Sequence, residues 1–260
     1  MRKPKKKIGV IVFHKDIKKI YRPEWIQKCV GSIIGQTNQD FKVYEINYGG
    51  DDYSIIKEFS KGFRRHKFIA EEFSNHAEAM NRIIDEAFKD GCEYVFNTNV
   101  DDYYELERFD KQMEYLKMGY DVVSSDFSYI SEIDGNDQFL VRKHIKQYGS
   151  VEDNLRVGHN VIAHPVVAFN KKFWVENRYD PSEIPNEDYL LWVRAINGGC
   201  KFYIHDDSLL NYRLHGNQIT GDNRPKSQVI HTSNSTQQKP EGSSIKIDGN
   251  TSLRNIKFDF

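Results

Sequence analysis

A doubly wound, mostly parallel α/β sheet is the fold this sequence predicts, on three observations. Short apolar runs alternate with amphipathic stretches about four times within the first 100 residues. The opening run, IGVIVF at residues 8–13, is almost continuously apolar and β-branched, as a strand covered on both faces requires. The runs end in polar corners, among them FHKD, NYGGDD and NVDD. In such sheets ligands bind there, beyond the carboxyl ends of the strands.

Each element follows from its own pattern. RPEWIQKCVGSIIGQT reads as a helix, with Pro23 in its first turn and Trp25, Ile26, Cys29, Val30, Ile33 and Ile34 on one face. FKVYEINYGGDD is a second strand running into a Gly-Gly turn, residues 53–62 read as helix, and KFIAEEF as a third strand. NHAEAMNRIIDEAFKDG is an amphipathic helix: Ala77, Met80, Ile83, Ile84, Ala87 and Phe88 face one way and Gly91 stops it. CEYVFNTN is the fourth strand. In the second half, DVVSSDFSYI and QFLVRKH read as strands joined by the turn EIDGND, and HNVIAHPVVAFNKKFW as strand then helix. PNEDYLLWVRAINGG is a helix between Pro185-Asn186 and Gly198-Gly199, with Trp192 read as core, and CKFYIHDDSLLNYRLH supplies one or two further strands. Beyond about residue 221 polar residues dominate, and 222–260 reads as a weakly structured tail, for which a homodimer contact is one open role.

Bulk properties exclude several classes. The 260 residues carry a net charge of -1, which gives no basis for a nucleic-acid partner. The one dense basic run, RKPKKK at residues 2–7, reads as a solvated arm. Cys29, Cys92 and Cys200 are far apart and form no CxxC or Cys/His cluster, which argues against a disulfide framework or structural zinc. No apolar run is long enough to span a bilayer and no signal-peptide core opens the chain, so a soluble, cytoplasmic protein without a transmembrane segment is expected.

Three places bear chemistry, and the residues alone leave two readings of each. Asp101 and Asp102 follow the fourth strand. Asp102 stands three residues before Glu105, the spacing of a capping box, yet strand-end carboxylates also suit a divalent cation beside a diphosphate. Glu187 and Asp188 fall in a first helical turn, where they either compensate the helix dipole or supply an ionised general base. His215, after Tyr-Arg-Leu, is either structural or a ligand for Mn²⁺.

Taken together and in this order, these features resemble the family-2-like glycosyltransferases of GT-A fold, over roughly residues 8–220. The resemblance is carried by IGVIVF, SIIGQT, AMNRIIDEA before the fourth strand, NTNVDD in the DxD position, NEDYLLWVRAINGG as the Glu-Asp motif, and YRLHGNQIT. It implies a GT-A domain over residues 1–221, with a nucleotide-sugar half at about 8–103, an acceptor half at about 104–221, and the tail at 222–260. It implies a nucleotide-diphosphate sugar donor, commonly a UDP-sugar, with Mn²⁺ or Mg²⁺, and a glycan, protein or small-molecule hydroxyl as acceptor. By residue, it implies Asp101 as metal ligand and His215 as a ligand or diphosphate contact, with Asn99 and Asp102 beside them. Phe13, His14, Asn47 and Tyr48 would line the base-and-ribose pocket, Asn81 would lie near the donor, and Arg213 would offset phosphate charge. Asp188 would be the general base of an inverting displacement, with Glu187 binding the acceptor or orienting the site. The chain departs from the pattern at Asn99, where an acid opens the DxD motif, and at Asn47-Tyr48-Gly49-Gly50-Asp51-Asp52, where the family often has Asp-Asp-Gly-Ser. Those departures keep open a GT-A domain that binds a nucleotide or glycan without turnover. A nucleotidyltransferase is disfavoured, because FHKDIKK lacks a Gly-rich loop.

Overall fold

The structure, a computed structural model, describes residues 7–133, 135–143 and 149–216. The expected tail at 222–260 lies outside the described residues. Four strands, β1 (Ile8–His14), β2 (Phe41–Asn47), β3 (His66–Ala70) and β4 (Tyr94–Thr98), lie parallel in the order β3-β2-β1-β4. The chain moves outward from β1 to β3 and then returns to lay β4 on the other side of β1. Strand order therefore reverses between β1 and β4, and a crevice is expected at their carboxyl ends.

The helices between these strands cover the sheet for the reasons their sequences give. α1 (Ile17–Ile20) is a single turn after β1, and α2 (Pro23–Ile34) buries Ile26, Cys29, Val30 and Ile33. α3 (Ile55–Phe59) starts at Ser54, whose side chain accepts from Lys57 N. α4 (His76–Lys89) is capped by Asn75, whose Oδ1 accepts from Glu78 N at 3.0 Å. It packs on β1 closely enough that a Cβ on Gly9 would lie 2.9 Å from the Ala87 Cβ, so only glycine permits that approach.

The second half mixes directions. β5 (Tyr103–Tyr104) pairs antiparallel with β9 (Phe202–Arg213), and α5 (Arg108–Lys117) follows β5. β6 (Val122–Ile133) runs parallel to β9 and antiparallel to both β7 (Asn136–Lys143) and β8 (Ala168–Asn170). The tight β6–β7 turn can join only antiparallel strands, and β8 also pairs antiparallel with β4. α6 (Val151–Arg156), α7 (Lys171–Glu176) and α8 (Glu187–Asn197) complete the described helices, with short 3₁₀ turns at His164–Val166 and Pro181–Glu183. Trp192 is fully buried, its ring 5.9 Å from Phe173 and 6.2 Å from Phe202, as expected of a core residue.

One local expectation is corrected here. Asp102 does not cap the helix that follows it, because Tyr103 and Tyr104 pair with β9 and α5 begins only at Arg108. Long-range strand pairing overrides the local capping pattern.

Candidate active site

The corner after β4 brings together residues from both ends of the chain. Asp101 Oδ2 lies 3.0 Å from His215 Nε2, a contact across 114 residues. The His215 ring is edge-on to Tyr21 and tilted against Trp25, with centroids 5.7 and 5.0 Å away. Asp102 points inward, and its Oδ1 accepts from Arg213 N at 2.9 Å. Its Oδ2 is buried without a hydrogen-bond partner. Burial first, and the Asp101 charge second, push the Asp102 carboxyl well above the usual carboxylate range. Asn99 donates from its backbone N–H to Tyr104 Oη at 2.7 Å, while its side-chain Oδ1 is buried and unpartnered. Arg108, fully buried, braces the strand end by donating to Asn97 O at 2.8 Å.

Four residues expected to face the donor turn their hydrogen bonds into the protein. The Arg213 guanidinium pairs with Asp137, donates from Nε to Asp101 O at 3.0 Å and lies 4.8 Å from the Trp25 ring. His14 Nε2 lies 2.9 Å from Glu45 Oε1, and Glu45 also accepts from Ser54 Oγ and Ile55 N at 2.6 Å each. Burial opposes ionisation of Glu45, but His14 and His66 outweigh it and hold the carboxyl down at about 2. Asn47 donates to Asp51 Oδ1 at 2.7 Å and accepts from Gly49 N at 3.1 Å, shaping the loop after β2. Both amide atoms of Asn81 are engaged by the Tyr179 backbone, at 2.9 and 3.2 Å. Phe13 and Tyr48 remain half-buried at the strand ends.

At the head of α8 the acid pair is divided. Glu187 is buried and its Oε1 lies 2.6 Å from His76 Nε2, the first residue of α4. Burial opposes its ionisation, yet the His76 hydrogen bond prevails and holds the carboxyl below its ordinary value. Asp188 is half-buried; its Oδ1 accepts from Tyr189 N at 2.6 Å and its Oδ2 from Asn160 Nδ2 at 3.3 Å. Burial and then the Glu187 charge push Asp188 up to about 6. The helix terminus alone was expected to keep this acid fully ionised; desolvation and the neighbouring anion oppose that. His164 packs nearby, its Nδ1 3.4 Å from Asn97 Nδ2 and its Nε2 2.9 Å from Tyr179 Oη. Burial pushes it down to about 4, so this imidazole is neutral at pH 7. His76, Asn160, His164 and Tyr179 carried no sequence signal as site residues, since each meets the acid pair only through the fold.

The model of glycosyl transferase family 2 matches residues 10–179, well over half of the chain. This protein belongs to glycosyl transferase family 2. It is 27% identical over 203 residues to an uncharacterised glycosyltransferase of Methanocaldococcus jannaschii, covering 74% of this chain and 66% of that protein. It is 26% identical over 200 residues to the O-antigen biosynthesis glycosyltransferase WbnJ of Escherichia coli, covering 74% and 75%. S. aureus TarS in complex with UDP matches with a TM-score of 0.59 at 14% identity, over 81% of this chain and 61% of that one. The mannosyltransferase PcManGT of Pyrobaculum calidifontis, in complex with GDP-Man and Mn²⁺, matches with a TM-score of 0.55 at 13% identity, over 79% and 56%. The chain thus spans about two thirds of the length of the first of these relatives and about three fifths of the TarS chain. At such identities the structural likeness is one of fold, and that fold is of GT-A type.

Proposed function

We propose that this protein transfers a sugar from a nucleotide-diphosphate sugar, with a UDP-sugar the first choice, to an acceptor hydroxyl with inversion at the anomeric carbon. The observation that carries the reading is the meeting of Asp101 and His215, 3.0 Å apart at the carboxyl end of β4. That position adjoins the switch point where α/β sheets bind nucleotides. The TarS structures hold UDP and UDP-GlcNAc, and PcManGT holds GDP-Man and Mn²⁺; these ligands support a nucleotide-sugar donor and a metal here.

A carboxylate and an imidazole suit Mn²⁺, the carboxylate alone would suit Mg²⁺, and the same corner holds unpartnered oxygens on Asn99 and Asp102. Among the described residues, no three His, Cys, Asp or Glu side chains gather into a complete metal site. The set therefore fits a cation that takes its remaining ligands from diphosphate and water. When bound, such a cation would offset charge on the leaving diphosphate.

The chain's own groups do the rest. Asp188, raised to about 6, is ionised at neutral pH yet basic enough to take a proton from the acceptor hydroxyl. As the acceptor oxygen bonds to the anomeric carbon, the bond from that carbon to the diphosphate oxygen breaks and its electron pair leaves with the nucleotide. Glu187, fixed as an anion, orients the acceptor. Asn99 offers an amide at the donor where an acid would add charge.

Incubation with a panel of UDP-sugars is expected to release UDP only when Mn²⁺ is present. Asp101→Ala is expected to abolish the Mn²⁺-dependent part of the thermal stabilisation by UDP. UDP binding without turnover of any nucleotide-sugar would replace the transferase with a binding domain. Metal-dependent UDP binding that survives Asp101→Ala would remove Asp101 from the metal.

A further inference from the structure

The acid pair at the head of α8 has one partner that no motif announces. α4 and α8 meet at their first residues, where His76 Nε2 lies 2.6 Å from Glu187 Oε1 across 111 positions of sequence. The contact is largely shielded, with 16% of the His76 side chain and 12% of the Glu187 side chain exposed. It joins the half that carries the donor corner to the helix that carries the base. Among the described residues, Asp188 has no such partner and is met by the Tyr189 N–H and the Asn160 amide. Also among the described residues, His164, neutral at pH 7, and the buried Tyr179 phenol sense the charge of the pair. Further along α8, Arg194 is paired with Glu183.

We propose that His76 is a positioning residue: it clamps Glu187 as an anion and so leaves Asp188, and not Glu187, as the acid that takes the acceptor proton. This rests on the reading of Asp188 as the base. Two adjacent desolvated carboxyls repel each other's charge, and a hydrogen-bonded imidazole on one of them decides which ionises first. The anion fixed by His76 then adds to burial in raising its neighbour. Removing the imidazole frees Glu187 to hold its own proton, and the anion that raises Asp188 is then lost. Removing the Glu187 charge directly lets Asp188 ionise at lower pH in the same way. The two changes push the Asp188 titration in the same direction, downward.

The experiment is the pH profile of kcat/KM for the wild type, His76→Gln and Glu187→Gln. The acid limb is expected to move down by about half a unit in both His76→Gln and Glu187→Gln, an approximately threefold gain on the limb. Donor KM is expected to stay unchanged in both. Activity scaled down equally at every pH in His76→Gln, or a limb in that variant that stays in place or moves up, overturns the proposal. Should His76→Gln fail to fold, His76→Asn takes its place, with the same downward limb supporting the proposal and an unmoved limb overturning it. Asp188→Asn separates the two claims. If it keeps both activity and acid limb, the base assignment falls and this proposal with it. If it is inactive while the His76→Gln limb stays in place, only the proposal falls.

Discussion

Asp101–Asp102 after β4 and Glu187–Asp188 at the head of α8 are both pairs of adjacent acids, and the fold divides them in the same way. In each, one member meets an imidazole: His215 at 3.0 Å from Asp101 and His76 at 2.6 Å from Glu187. In each, the other member is raised by burial and by its neighbour's charge. The pairs part in what surrounds the raised member. Asp102 is 1% exposed and braced by the Arg213 backbone N–H, so its carboxyl is a structural acceptor whose ionisation burial opposes. Asp188 is half-buried and raised only to about 6, which on the proposed reading leaves it ionised at neutral pH and able to exchange a proton with a bound acceptor. Adjacency in sequence does not separate a reagent from a strut; the depth of burial of the second acid does.

The comparison can be broken most directly at Asp188. Asp188→Asn is expected to lower kcat by about 10³, the scale of a lost general base, with UDP binding retained in a thermal-shift titration. A loss below about tenfold would make both pairs structural. A smaller effect is read from the wild type alone. On the proposed reading the ionised form of Asp188 is the active one, so kcat/KM should rise with pH and level off above about 6. Below that value it should fall by about tenfold per unit. A plateau reaching to pH 5 or so would mean that a different group takes the proton. The smallest effect is expected at the other pair. Asp102→Asn replaces a buried acid, whose ionisation burial opposes, by an amide that can still accept from Arg213 N. Urea unfolding should therefore shift stability by less than about 1 kcal/mol. A loss of Mn²⁺-dependent UDP binding in that variant would show that Asp102 works as an anion.

Much of the frame was legible because it rests on local periodicity. The apolar run of β1, the amphipathic face of α4 and the polar ends of β2 and β4 each announce themselves within about a dozen residues. The acids of both pairs were visible for the same reason. What sequence could not supply was the partner of each buried polar group. Asn81, Asn47, His14 and Arg213 have the residue types of a donor site, but Tyr179 O, Asp51, Glu45 and Asp137 claim their hydrogen bonds. Such claims are settled by which group reaches which in three dimensions, since a buried donor must find some acceptor. His76 was hidden in the same way: it read as the opening of a helix, and only the meeting of α4 with α8 gives it a carboxylate.

Strand β9 adds a consequence in time. It carries Arg213 to Asp102, leads directly to His215 at Asp101, and pairs with β5 to seat the segment after β4. A nascent chain that has emerged only as far as α8 already holds β1 to β4 and both acid pairs, yet has neither the second half of the donor corner nor the strand that closes it. On the proposed reading, turnover of donor would begin only once β9 docks, so the onset of activity would report the arrival of that strand during synthesis.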